Sequence, residues 1–243
     1  MKDYAKETEK RVAFIREALK NAHADGIVYG NSGGKDSALV GILCKKACDN
    51  VLGVIMPCQS SRNFGEDMVD GKKVAEQFQI ETVTVDLTQV KADIIETAGR
   101  ATDLTDAAKS NIAPRLRMTT LYAIAQSRSA LVAGTGNKCE AYMGYFTKWG
   151  DGAYDINPIA DLTVSEIYEF LEYLNAPESI IKKAPSAGLF EGQTDENEMG
   201  VTYRQIEDVL ETGTTDDEKA KEKIMTANRI SEHKRRMPLT YAE

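Results

Sequence analysis

A short loop of glycines, hydroxyls and charged residues has the composition of an anion-binding site. It follows the apolar run of residues 26–29 and precedes a helix-like segment. Small residues let a backbone approach a phosphate closely, and the N–H groups at a helix start supply positive potential. The pattern therefore predicts a phosphate-binding loop made of Gly30, Asn31, Ser32, Gly33, Gly34, Lys35, Asp36 and Ser37.

Two commoner phosphate loops do not fit this segment. The Walker A pattern needs a glycine five positions before its Gly-Lys pair and Ser or Thr directly after that pair. Here Tyr29 stands at the first position and Asp36 at the second, and the dinucleotide fingerprint GxGxxG is also absent. An acid among phosphates requires a cation between them, so Asp36 is a candidate Mg²⁺ ligand. The alternative, that Asp36 only caps the following helix, stays open.

Apolar runs alternate with amphipathic segments through the first half of the chain. They predict strands at 26–29, 51–56, 81–85 and 130–135, and helices at 4–23, 37–47, 65–78, 88–98 and 111–128, with Pro114 in the first turn of the last helix. Such alternation is typical of an α/β fold, here a Rossmann-like parallel sheet flanked by helices. Ligands bind beyond the carboxyl ends of such strands, where the phosphate loop and Gly134-Thr135-Gly136 should meet.

The C-terminal third is less regular. Helices are predicted at 164–174, 203–210 and 216–235, and residues 182–200 are expected to form a long loop. Long loops in compact domains are often lids, so we expect residues 186–200 to close over a substrate.

Bulk composition limits the function classes. The chain has 243 residues and a formal net charge of -8, which argues against non-specific binding to nucleic acid, although residues 233–236 form a local basic patch. The four cysteines lack metal-ligand spacing and are expected to be small buried apolar residues. No signal peptide or membrane span is evident, so we expect a cytoplasmic, single-domain protein over residues 1–243.

Motifs across the whole chain resemble one enzyme family. The SGGKDS loop is similar to the signature of the ATP pyrophosphatases, which cleave ATP between its α- and β-phosphates. The later segments resemble those of ammonia-dependent NAD synthetases: NIAPRLRM at 111–118, GTGNKCE at 134–140, GYFTKWGDG at 144–152 with Asp155 and Pro158, KAPSAGL at 183–189 and HKR at 233–235.

This resemblance implies a reaction and a set of roles. ATP would adenylylate the nicotinate carboxylate of deamido-NAD, and ammonia would then displace AMP to give NAD. The implied ATP contacts are the phosphate loop, Thr135 and Ser186, and Asp36 and Glu140 would hold Mg²⁺. The residues implied to bind deamido-NAD are Arg115, Lys148, Asp155, His233 and Lys234. Asp36 and Lys148 are the implied catalytic residues.

The sequence departs from the family pattern at several positions. Val164 stands where many members have a lysine that contacts ATP, which removes that contact from the expected set. Ser186 replaces a common threonine and keeps its hydroxyl, and Gly188 replaces a common aspartate. Lys35 replaces a common glutamine, and the resemblance assigns it no role.

Other readings remain open from the sequence alone. Glu140 could be an ordinary helix acid, and Arg115, Arg117 and the basic C-terminal run could be solvated surface residues. The rival functions are another ATP pyrophosphatase, such as a tRNA-thiolating enzyme, and a regulatory module that senses ATP. No segment resembles a glutamine amidase domain, so free ammonia is the expected donor, and the resemblance implies a homodimer with deamido-NAD near the subunit boundary.

Overall fold

A four-stranded parallel sheet forms the centre of the molecule. The computed structural model describes residues 2–58, 65–183 and 194–241. Within them the strands β1 (Gly26–Gly30), β2 (Val51–Ile55), β3 (Glu81–Thr84) and β4 (Ala130–Ala133) lie in the order β3-β2-β1-β4. The predicted α/β fold with a parallel sheet is confirmed.

Helices connect and cover the strands. They are α1 (Tyr4–Ala22), α2 (Lys35–Ala47), α3 (Glu66–Phe78), α4 (Thr88–Gly99), α5 (Asp106–Ser127), α6 (Lys138–Met143), α7 (Val164–Tyr173), α8 (Glu178–Ile181), α9 (Asp195–Met199), α10 (Tyr203–Thr212), α11 (Glu218–Ile230) and α12 (Glu232–Arg235). None of the helices in the described ranges is long and apolar enough to cross a membrane.

The central strand β1 separates two cores. Ile27 and Tyr29 pack with α1, α2 and α7 in one cluster, whereas Val28 packs with Val132 and α5 in the other. Because both faces of a strand between two helical layers are buried, its sequence is a continuous apolar run rather than an alternating one. A third cluster joins α6, α10 and α11 and includes the buried Val164.

Several predicted elements differ from those in the structure. The long helix α5 begins at Asp106 rather than at 111, because the Thr105 side chain caps it by accepting from the Ala108 N–H at 3.2 Å. Pro114 therefore lies inside the helix and not in its first turn. The segment 216–235 forms two helices, α11 and α12, which meet at Ser231. Helix α9 also lies within the predicted loop 182–200.

The cysteines have the environments expected of apolar residues. Cys44, Cys58 and Cys139 are buried, and Cys48 is half-buried; all four are free. Burial raises the pKa of each thiol, so none of them is activated as a nucleophile.

Candidate active site

The phosphate loop and the Gly134–Gly136 segment lie side by side. Strands β1 and β4 are parallel neighbours, with Gly26 opposite Ala130 and Tyr29 opposite Ala133. Both strands therefore end at the same edge of the sheet. The prediction that these two loops meet is confirmed.

The loop after β1 is shaped by its own glycine and serines. Gly33 has φ of +72°, and a Cβ at this position would lie 2.0 Å from the backbone oxygen of Asp67. Only glycine fits this left-handed turn against α3. Ser32 Oγ donates to Ser37 Oγ at 3.0 Å and accepts from the Gly34 N–H at 3.3 Å. The hydroxyls thus hold the loop against the first turn of α2.

Helix α3 supports the loop from outside. The buried Asn31 side chain donates to the carbonyl oxygen of Gly71 at 3.0 Å. Lys183 lies between the two elements: its ammonium is 2.8 Å from Asp67, 2.9 Å from Asp70 and 3.3 Å from the Gly33 carbonyl oxygen. Burial alone would raise the pKa of Asp70, but the hydrogen bond and positive charge of Lys183 lower it. These contacts hold the loop against α3.

Two acidic side chains face each other at the end of β4. Glu140 is in the first turn of α6, where its Oε2 accepts from the Asn137 N–H at 2.9 Å in a capping box. Asn137 Nδ2 in turn donates to Asp36 Oδ1 at 3.1 Å. Burial and the Asp36 carboxylate raise the pKa of Glu140 well above its ordinary value. Such a pair of carboxylates supplies the kind of ligands that bind a divalent cation.

Among the described residues, Asp36 and Glu140 do not belong to a larger cluster of metal ligands. The described parts of the chain contain no group of three or more His, Cys, Asp or Glu side chains that could hold a metal ion. Mg²⁺ is commonly bound by only one or two carboxylates, and waters and substrate phosphates complete its octahedron. Asp36 and Glu140 therefore fit Mg²⁺ bound together with a nucleotide better than a resident structural ion.

The C-terminal basic residues contact the segment 144–152. Lys234 donates to the carbonyl oxygens of Gly144 at 2.8 Å and Phe146 at 2.9 Å. Lys148 donates to the His233 carbonyl oxygen at 2.7 Å. Burial lowers the pKa of Lys234. The segment 144–152 and helix α12, which are far apart in sequence, thus form one basic wall.

A cavity of about 460 Å³ connects these parts. Of the sequence-predicted site residues that the structure describes, its lining includes Gly30, Asn31, Ser32, Gly34, Lys35, Asp36, Ser37, Thr135, Glu140 and Lys234. Gly33, Arg115, Lys148, Asp155 and His233 do not line it. Asp155 instead accepts from Tyr122 Oη at 3.1 Å and the Val132 N–H at 2.8 Å. Ser186 lies outside the described residues.

Sequence reasoning did not select Arg117, which lines the cavity and whose Nε donates to the Met56 carbonyl oxygen at 3.1 Å. Burial lowers its pKa. The selected Arg115 is exposed. Helical spacing could have separated the two, because Arg117 shares a face with the buried Pro114 and Leu121 and Arg115 does not.

The structure also shows where the side chain of Val164 lies. Val164 is buried in the third core cluster with Cys139 and Tyr203. An apolar side chain in this position offers a phosphate neither charge nor a hydrogen bond. The cation expected there from the family pattern is absent from this chain.

Comparisons with known proteins show which chains this one is similar to. The family model described as NAD synthase matches residues 7–238. The NH(3)-dependent NAD(+) synthetase of Carboxydothermus hydrogenoformans is 46% identical over 97% of this chain and 97% of its own length.

Two solved structures are similar over almost the whole chain. The NMN synthetase of Francisella tularensis has a TM-score of 0.93 and 39% identity, with 99% of each chain covered. The NH3-dependent NAD synthetase of Campylobacter jejuni has a TM-score of 0.80 and 32% identity, with 100% of each chain covered.

Proposed function

The chain belongs to the NAD synthase family, and on that premise we propose that it amidates the nicotinate carboxylate of deamido-NAD with ammonia. ATP is the co-substrate, and AMP and pyrophosphate are the other products. The observation that supports this most is the single cavity that joins the phosphate loop, the Asp36–Glu140 pair and Lys234. It offers one space to two anionic substrates.

The chemistry requires two displacements. A carboxylate oxygen attacks the α-phosphorus of ATP, the bond to the β-phosphate oxygen breaks, and pyrophosphate leaves. Ammonia then attacks the carbonyl carbon of the acyl-adenylate, the bond to the AMP oxygen breaks, and a proton is lost to give the amide. Both steps need anions held in contact, so positioning and electrostatic stabilisation are the main contributions of the protein.

The residues that bind the ATP half are proposed from the loop geometry. The backbone from Gly30 to Ser37 would surround the phosphates, and Thr135 would contact the nucleotide from the adjacent strand end. Ser186 keeps its family-based assignment to ATP. Lys183 and Asn31 hold the loop in shape through their contacts with α3.

Mg²⁺ is proposed to be held by Asp36 and Glu140. When bound, it would neutralise charge on the phosphates. Asp36 lies in the first turn of α2, and the N-terminus of this helix lines the same cavity. Asn137 keeps both carboxylates oriented, since its backbone N–H and side-chain amide donate to one each.

The second substrate is proposed to lie along the basic wall. Lys148, His233 and Lys234 are brought together there, and Lys234 reaches the cavity. Asp155 and Arg115 lie outside the cavity of one chain. They can therefore contact deamido-NAD only if this substrate extends out of the cavity. Such a position agrees with a homodimer that binds deamido-NAD near its subunit boundary.

One assay tests the reaction. Purified protein is given ATP, Mg²⁺, ammonium and deamido-NAD, and NAD, AMP and pyrophosphate are measured together. Equal amounts of the three products are expected. ATP consumption without NAD would contradict the proposal, and a rate with glutamine equal to that with ammonium would contradict free ammonia as the direct donor.

A second acceptor is supported by the similarity to the Francisella tularensis NMN synthetase. In that case the acceptor would be nicotinate mononucleotide, which carries the same carboxylate and lacks the adenylate half. The ratio of kcat/KM for the two acceptors decides between them. We expect deamido-NAD to be preferred, because Arg115 and Asp155 can contact only an acceptor that is longer than the cavity.

The assembly and surroundings of the enzyme are also proposed. The chain acts on small molecules, is proposed to form a homodimer in the cytoplasm and is not expected to bind nucleic acid, given its net charge of -8. Gel-shift measurements with tRNA should show no complex at physiological salt.

A further inference from the structure

Lys35 is a charged residue held in an unusual place for its type. It belongs to the phosphate loop and lines the cavity, yet it is only 5% exposed. Its ammonium is 2.8 Å from Asp36 Oδ2 and 5.5 Å from the centre of the Tyr203 ring. Burying an ammonium is costly unless opposite charge compensates it. The position of Lys35 is therefore determined by the carboxylates around it.

The positive charge of Lys35 interacts favourably with the carboxylates of Asp36 and Glu140. Asp36 has Lys35 on one oxygen and Asn137 on the other. Glu140 interacts unfavourably with Asp36 and Asp195 and favourably with Lys35. The 2.8 Å contact between its ammonium and Asp36 Oδ2 favours the charged form of the Lys35 side chain. The single positive charge of Lys35 thus already offsets part of the negative charge of the acidic pair assigned above to Mg²⁺.

We propose that Lys35 is a built-in counter-ion of Asp36 and Glu140, which weakens the binding of free divalent ions until ATP phosphates draw its ammonium away from Asp36. This inference rests on the proposed metal site. Lys35 and a divalent ion repel each other when both contact Asp36. ATP removes the conflict, because its phosphates accept the ammonium and supply further ligands to the ion. The metal then binds together with the nucleotide.

The experiment measures Mn²⁺ binding by electron paramagnetic resonance in the nucleotide-free protein. We compare wild type, K35Q and K46Q. Lys46 is an exposed residue of the same helix, so K46Q removes the same charge far from the loop. We expect K35Q to bind Mn²⁺ at least about tenfold more tightly than wild type and K46Q to bind like wild type. Equal or weaker binding by K35Q overturns the proposal.

The stability of K35Q provides a second result. If K35Q fails to fold in EDTA, we expect millimolar Mg²⁺ to restore its folded state, because the ion supplies the missing charge. A variant that stays unfolded with Mg²⁺ overturns the proposal.

The variant E140Q separates this inference from the metal site itself. Binding is measured with and without a non-cleavable α,β-methylene ATP. If E140Q binds Mn²⁺ like wild type under both conditions, the assignment of the metal to Asp36 and Glu140 is wrong. If E140Q binds more weakly while K35Q equals wild type, that assignment stands and only the role of Lys35 is wrong.

Discussion

Glu140 serves the proposed reaction at the expense of stability. Its carboxylate is held beside Asp36, and burial together with this neighbour raises its pKa. A raised pKa in an acid means that folding disfavours the charged form, so neutralising the group should stabilise the protein above the unfolded-state pKa. We predict that E140Q raises the free energy of unfolding at pH 7 in EDTA by about 1 kcal/mol and lowers kcat/KM at least about 100-fold. Denaturant unfolding and the NAD assay measure both.

Glu166 provides a matched control for E140Q. Glu166 occupies the equivalent capping-box position of α7, where its partner is the Thr163 N–H and Lys2 lies 2.9 Å away. E166Q should leave activity unchanged and should not stabilise the protein. A destabilised E140Q would mean that Lys35 compensates Asp36 and Glu140 completely.

The two arginines of α5 should have separable roles. Arg117 lines the cavity, and Arg115 is exposed on another face of the helix. We predict that R117Q lowers kcat/KM at least about tenfold, since it removes a half-buried cation from an anion site. R115Q should raise the KM for deamido-NAD and leave the KM for ATP unchanged. Steady-state kinetics with each substrate varied in turn checks both, and an increased KM for ATP in R115Q would contradict the assignment.

At the scale of elements, the phosphate loop depends on helix α3. A Cβ on Gly71 would lie 2.9 Å from Asn31 Oδ1, and Asn31 is buried and cannot move away freely. We predict that G71A displaces the Asn31 amide and raises the KM for ATP about fivefold, or about 1 kcal/mol of binding energy. The KM for ammonium should change little.

The control for this substitution is G99A at the end of α4. Nothing lies within 4 Å of a Cβ built on Gly99. Since alanine is favoured over glycine in helices by up to about 1 kcal/mol, G99A should have unchanged kinetics and equal or greater stability. If both variants shift the KM for ATP equally, α3 does not support the loop.

The sequence predicted those elements whose signals are local. Apolar runs located the four strands, and the parallel sheet then placed Gly30–Ser37 beside Thr135. Helix starts determined by a single cap, such as Thr105, were missed because Pro114 offered a competing start signal. The Lys183 contacts with α3 and the burial of Lys35 beside Tyr203 depend on residues distant in sequence, which no local pattern shows.

At the scale of the whole molecule, exposed apolar residues lie on β3 and on the helix that follows it in sequence. Val83 on β3 and Val90 and Ile94 on α4 are exposed, and α4 packs on α5, which carries Arg115. Single exposed apolar residues are common, but their occurrence on an edge strand and on the next helix makes these two elements a candidate contact surface. This location agrees with the proposed subunit boundary.

We therefore predict that the homodimer forms through β3 and α4. Light scattering at micromolar concentration should give twice the chain mass of 26.7 kDa for wild type and a shift toward one chain for V90E, because a charge buried in an apolar interface is unfavourable. M225E changes another exposed apolar residue, on α11, and should remain dimeric. If deamido-NAD binds at the boundary, V90E should also raise its KM and leave that of ATP unchanged. If the dimer persists in V90E but dissociates in M225E, the interface lies on α11. Arg115 would then be too far from the subunit boundary to contact deamido-NAD there.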